Sequence, residues 1–106
     1  MASTEIINII KDYLHELSGK GIYISRSFLF GSQANNTATE ESDIDLMLVS
    51  PLFDEDTDQY LPDIWLSATR TSYRIEPIIV GEKRFQTDDM SPIIAVVKEQ
   101  GIEIVA

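Results

Sequence analysis

Cysteine is absent from this 106-residue chain, and histidine occurs once, at position 15. Disulfide frameworks, zinc–thiolate sites and thiol nucleophiles are thereby excluded, and the lack of cysteine fits a reducing, cytoplasmic setting. Basic residues are few. Eight Lys and Arg stand against eighteen Asp and Glu, a formal net charge of −10. Binding to DNA or RNA relies on Lys and Arg to displace counterions from phosphates, so nucleic acid is not the expected partner. No apolar run nears the roughly 20 residues that a membrane-spanning helix needs, and Met1-Ala2-Ser3-Thr4-Glu5 lacks the basic lead of a secretory signal. What remains is 43% hydrophobic and 25% charged, as in soluble globular proteins. The length suits a single domain over residues 1–106 with one limited core. The acidity supports solubility, or some of the carboxylates hold a divalent metal.

Hydrophobic spacing organises the chain. Ile6, Ile7, Ile9, Ile10, Tyr13, Leu14 and Leu17 recur at three and four residues, so 4–18 is a helix, capped by Ser3 or Thr4 and ended by Gly19 and Gly21. Residues 22–30 read as a strand with Ile22, Ile24, Phe28 and Phe30 on one face. The polar stretch from Gln33 to Ser42 suits one or two helical turns and a loop. A second strand, 43–49, alternates Ile44, Leu46 and Leu48 with Asp43, Asp45 and Met47, and Ser50-Pro51 stops it. An acidic loop at 54–58 leads to a helix over 57–70, with Pro62 in its first turn and Tyr60, Ile64 and Trp65 towards the core. A third strand covers 73–80, and Pro77, having no N–H to donate, places it at a sheet edge. Ser91-Pro92 opens a last helix, Gly101 closes it, and 102–105 is a short strand. The expected architecture is α/β, a central mixed sheet of three to four strands flanked by helices in the order α-β-α-β-α-β-α-β.

The chemistry concentrates at Gly31-Ser32, then ten residues, then Asp43-Ile44-Asp45. On a strand, residues two apart share a face, with Cα atoms about 7 Å apart. Two carboxylates about 4 Å apart repel by roughly 4 kcal/mol at an effective dielectric near 20. Such a pair calls for a cation or for a bound proton. Hard oxygen donors suit Mg²⁺ or Mn²⁺, and Mg²⁺ keeps sites for water and substrate phosphate. A bland reading is equally simple: two acids on the wet face of a half-exposed strand. Gly31-Ser32 shifts the balance. A glycine after a strand lets backbone approach a ligand closely, and amides at a helix start beside a serine hydroxyl cradle phosphate oxygens.

Phe28-Leu29-Phe30-Gly31-Ser32, ten residues, and Ser42-Asp43-Ile44-Asp45-Leu46 together resemble the signature of the minimal nucleotidyltransferases of the DNA polymerase β-like superfamily. The resemblance implies that Asp43 and Asp45 bind two Mg²⁺ ions and that Gly31 and Ser32 hold the phosphates of a nucleoside triphosphate, ATP foremost. It implies a third carboxylate on a later strand, for which Glu76, the lone acid in the apolar run 75–80, is the candidate, although relatives commonly carry Asp there. The alternative for Glu76 is an exposed strand residue paired with Arg74 or another cation. Relatives also carry Arg and Gly soon after the Gly-Ser pair, where this chain has Gln33-Ala34-Asn35-Asn36. Asn35 or Asn36 supplies a turn but no charge.

The implied reaction is transfer of a nucleoside monophosphate, AMP foremost, to a hydroxyl acceptor on a protein or a small molecule. Minimal members pair with HEPN-type toxins, which makes an antitoxin role the expectation. A module that neutralises such a partner by masking alone, and a metal-binding structural domain, are the alternatives. With no second domain to bind an acceptor, the chain is expected in a homo-oligomer or a hetero-complex. His15 reads as a surface residue. Arg74, Lys83 and Arg84 read as partners for the acidic surface before phosphate ligands, and Tyr60 and Trp65 as packing residues.

Overall fold

In the computed structural model, which describes residues 3–35, 38 and 42–105, the first helix, α1 (Thr4–Gly19), starts where Ser3 accepts the Ile6 N–H at 3.2 Å. That hydroxyl satisfies one of the amides that a helix start leaves open. Ile6, Ile10, Tyr13, Leu14 and Leu17 form its buried stripe. Gly21, at φ +79°, turns the chain out of the helix, a conformation glycine adopts without steric cost.

The first strand, β1, is Arg26–Phe30, shorter than the expected 22–30. Residues 22–25 are held irregularly: Ile22 N–H donates to Leu17 O at 3.0 Å, and the Ser50 hydroxyl takes up Tyr23 O at 2.6 Å. This break also overturns the single-face reading. Ile22 and Ile24 join the core on one side of the sheet, Phe28 and Phe30 the core on the other. Strand β2 (Ile44–Ser50) runs antiparallel to β1, with Phe30 opposite Asp45 and Phe28 opposite Met47. The Ser50 hydroxyl then caps a turn of 3₁₀ helix, Pro51–Asp54.

Helix α2 (Leu61–Thr71) begins later than the expected 57, with Pro62 in its first turn as its missing N–H requires. Trp65 is corrected: it faces outward, 44% exposed, because Ile64, Ser67 and Ala68 take the inner face and the neighbouring position is rotated by about 100°. Tyr60 is half-buried, its ring edge-on to Phe53. Helix α2 is the crossover that lets β3 (Ile75–Gly81) lie parallel to β2. Helix α3 (Glu82–Thr87) has no counterpart in the sequence reading. It is six residues long, charge-rich, and buries Phe85 alone, too little to show a periodic pattern. Its start is capped from afar, since Lys83 N–H donates to the Asp54 carboxylate at 3.0 Å. Ser91 and Pro92 open α4 (Pro92–Gln100), and β4 is only Ile102–Glu103.

The strands order as β3-β2-β1-β4, so Pro77 does lie in an edge strand. Helices α1 and α2 cover one face of the sheet, packing on Leu29, Ile44, Leu46, Leu48 and Ile75. The other face holds a smaller cluster of Phe28, Phe30, Met47, Val49 and Val80 under Phe85, Ile94 and Val97 of α3 and α4. Each fully buried Leu or Ile contributes roughly 1.5–3 kcal/mol. Of the polar stretch expected as turns and loop, a 3₁₀ turn at Gly31–Gln33 is seen. Positions 36, 37 and 39–41, Asn36 included, lie outside the described residues.

Candidate functional site

The alternation of β2 builds the site. Ile44, Leu46 and Leu48 point into the larger core, which leaves Asp45, Met47 and Val49 on the other face. Helices α3 and α4 bury Met47 and Val49 but leave Asp45 half-buried. Asp43, one residue before the strand, is exposed. The parallel register sets Glu76 of β3 beside Asp45, on the same face and exposed. The antiparallel register sets Phe30 opposite Asp45, so the chain leaving β1 must bend at the aspartate.

It bends through Gly31, at φ +72°. A Cβ at Gly31 would collide with the Asp45 Oδ2 and stand 3.3 Å from its Cγ. The conformation favours glycine, and any side chain there would also displace the end of the Asp45 carboxylate. The 3₁₀ turn that follows is closed by the N–H groups of Ala34 and Asn35 on Gly31 O, at 3.1 and 3.3 Å. The first amides of such a turn have no partner within it and are available to oxygen ligands. Ser32 sits among them, half-buried.

Burial raises the Asp45 pKa above the ordinary carboxylate value, and the neighbouring charge of Asp43 raises it further. Asp45 therefore senses the charge of Asp43. Among the described residues no Lys or Arg is ion-paired with Asp43, Asp45 or Glu76; the four ion pairs lie elsewhere. The reading that pairs Glu76 with Arg74 does not hold among them. Arg74 donates from Nε to Ser42 O at 3.0 Å, and its own carbonyl accepts the Ile44 N–H at 2.7 Å. Arg84 does pair with acid, reaching Asp88 at 3.1 Å, and His15 lies exposed on α1.

A Gly-Ser bend pressed on one of two strand acids, in an antiparallel and parallel ladder, is the frame on which the sequence comparisons fall. The family profile of the nucleotidyltransferase domain matches residues 7–102. The chain belongs to this family. A solved structure with the same fold, a candidate nucleotidyltransferase from Sulfolobus solfataricus, superposes with a TM-score of 0.63 at 15% identity, over 93% of this chain and 78% of that one. No curated protein matches the chain in sequence. The nucleotidyltransferase domain is thus a mixed four-stranded sheet flanked by helices, and among its described residues no helix is long and apolar enough to cross a membrane.

The residues fit a divalent metal in part. Asp43 and Asp45 supply hard oxygen donors, with no ion pair to Lys or Arg among the described residues, and the Asp43 charge disfavours ionisation of Asp45. No three carboxylate or imidazole groups among the described residues converge as a ready cage, and Glu76 stands beside Asp45 in the ladder. By sequence, Gln33 stands out only as lying in a stretch where relatives carry arginine. The structure buries it, 7% exposed, with Nε2 directed at Ser42 O and Asp43 O at 3.4 and 3.5 Å. A glutamine directly after a Gly-Ser turn that faces a core was the available signal, because a buried amide must find acceptors.

Proposed function

We propose that this nucleotidyltransferase domain transfers a nucleoside monophosphate, AMP from ATP, to a hydroxyl on a HEPN-type partner protein, as the antitoxin of a toxin–antitoxin pair. The observation that carries the transferase site is the missing Cβ of Gly31 against the Asp45 carboxylate. It lets the Gly-Ser bend lie directly against one of the two acids.

In this reading the first amides of the Gly31–Gln33 turn and the Ser32 hydroxyl hold phosphate oxygens of the triphosphate. Asp43 and Asp45 hold Mg²⁺, with Mn²⁺ as a substitute. When bound, the ions neutralise the polyphosphate and steady the attacking and leaving oxygens. Glu76, next to Asp45 in the ladder, accepts the proton of the attacking hydroxyl, directly or through water. The hydroxyl oxygen bonds to the α-phosphorus, the bond from that phosphorus to its bridging oxygen breaks, and pyrophosphate leaves. Alignment and charge neutralisation account for the rate enhancement.

Incubation with α-³²P-labelled ATP, Mg²⁺ and a candidate HEPN-type partner protein is expected to label that partner. Label that persists in Asp43→Asn and Asp45→Asn would refute the assignment. One observation favours a second reading: Gln33-Ala34-Asn35-Asn36 stands where relatives carry Arg and Gly, and these four residues bring no cation to a triphosphate. A domain that binds nucleotide and partner yet transfers no label would be a masking module. Either reading expects a complex or an oligomer, and light scattering that finds only monomers with the partner present would count against both.

A further inference from the structure

Asp43 lies just outside β2, where no ladder of its own fixes it, yet it carries half of the acid pair. Its backbone is gripped from two sides. From the β3 side, Arg74 holds both neighbours of Asp43: its Nε donates to Ser42 O at 3.0 Å, and its carbonyl accepts Ile44 N–H at 2.7 Å. From the Gly-Ser side, the buried Gln33 directs its amide nitrogen at the carbonyls of Ser42 and Asp43, at 3.4 and 3.5 Å. Two side chains from distant parts of the sequence thus meet on one carbonyl, that of Ser42. Gln33 belongs to the turn whose Gly31 touches Asp45, so the same turn contacts one acid by shape and steers the other by hydrogen bonds.

We infer that Gln33 and Arg74 are positioning residues, a clamp on the Ser42 carbonyl that fixes Asp43 relative to Asp45 and the phosphate-binding turn. The inference rests on the metal-binding reading of the two aspartates. Neither residue need touch substrate. Arg74, the natural candidate for a phosphate ligand in so acidic a chain, has its Nε committed to protein backbone. Hydrogen bonds that orient metal ligands typically govern metal affinity by about ten- to a hundredfold when removed.

The test is binding of Mn²⁺ alone, followed by the paramagnetic signal of the free ion, with thermal melting as a control. Arg74→Met and Gln33→Met keep the apolar stems and remove the donors. Each is expected to weaken Mn²⁺ binding about tenfold, at a melting midpoint close to that of the unaltered protein. Arg74→Lys keeps the charge but not the fixed Nε donor, and is expected to bind as weakly as Arg74→Met. Recovery of binding in Arg74→Lys would show that charge acts and not a directed bond, which overturns the clamp. If the unaltered protein binds Mn²⁺, Asp43→Asn loses it and both Met variants keep it, the clamp is wrong and the acid pair stands. If Asp43→Asn binds as well as the unaltered protein, the metal reading itself is wrong and the clamp goes with it. Should Arg74→Met fail to fold, Gln33→Met decides alone, because its donor bonds are longer and its loss disturbs the fold less.

Discussion

The two faces of the sheet, built from the same strands, have opposite fates. One is sealed along its length by α1 and α2, with Leu29, Ile44, Leu46 and Leu48 fully buried. The other is sealed only in part by α3 and α4, over Phe28, Met47, Val49 and Val80, and beyond that cover stand Asp45 and Glu76. The comparison teaches that a half-covered sheet face is what leaves acids open to solvent at the edge of a core. Full cover would force the acids to be neutral or paired. No cover would leave Asp45 fully hydrated, without the raised pKa that marks its strained ionisation.

The largest effect expected from breaking this contrast is on the sealed face. Leu46→Ala should cost about 3 kcal/mol in a denaturant titration, the range for a fully buried leucine. Its strand neighbour Met47→Ala, against the smaller cluster, should cost less. Equal costs would mean that the two faces are equally tight.

At the seam between open and sealed regions, Gly31→Ala meets both a left-handed backbone and the Asp45 carboxylate. A loss of about 1–2 kcal/mol in stability is expected from the backbone alone, together with lost nucleotide binding by calorimetry. An alanine variant that binds nucleotide normally would remove the bend from the site.

Within the sealed face, Tyr13 is the polar exception. Its hydroxyl donates to Ile64 O at 2.9 Å, fastening α1 to α2. Tyr13→Phe should cost about 1 kcal/mol in the same titration. Burial, and secondarily the Glu16 charge, raise the Tyr13 pKa well above its ordinary value of 10.0. The folded state therefore holds this proton more tightly than the unfolded one. Its stabilisation is complete below pH 10 and falls as pH rises above it. Tyr13→Phe should lose that alkaline component, and an unchanged alkaline limb would contradict the assignment.

On the open face the smallest effect runs the other way. Asp45 also has a raised folded-state pKa, so its contribution is complete below the ordinary carboxylate range and is lost as pH rises through it. At neutral pH the ionised group is a cost. Asp45→Asn should melt slightly higher than the unaltered protein in EDTA, and should lose the stabilisation that Mg²⁺ gives by binding the native state. A variant that melts lower in EDTA would show that Asp45 is structural.

Much of this contrast is legible in the residues themselves. The alternation of Asp43, Asp45 and Met47 with Ile44, Leu46 and Leu48 fixes which face is apolar, because a strand has a period of two. Pro77 marks an edge because it has no N–H. Other features are not legible. Ile22 and Ile24 look continuous with Phe28 and Phe30, and only the hydrogen bonds of Leu17 and Ser50 to the 22–23 stretch show the break. Helix α3 depends on Asp54, twenty-nine residues from the amide that it caps. Trp65 turns outward because Ile64 and Ala68 already fill the contact.

The sequence by itself determined the family, the elements with strong periodicity, and the identities of Gly31, Ser32, Asp43 and Asp45, since these follow from local residue type and spacing. The tertiary structure alone decided that Gly31 lies against Asp45, that Glu76 stands beside it, and that Gln33 and Arg74 meet on one carbonyl. Those contacts join residues 9 to 32 positions apart or belong to strand register, and register is set by how the two faces pack, which no short stretch of sequence encodes.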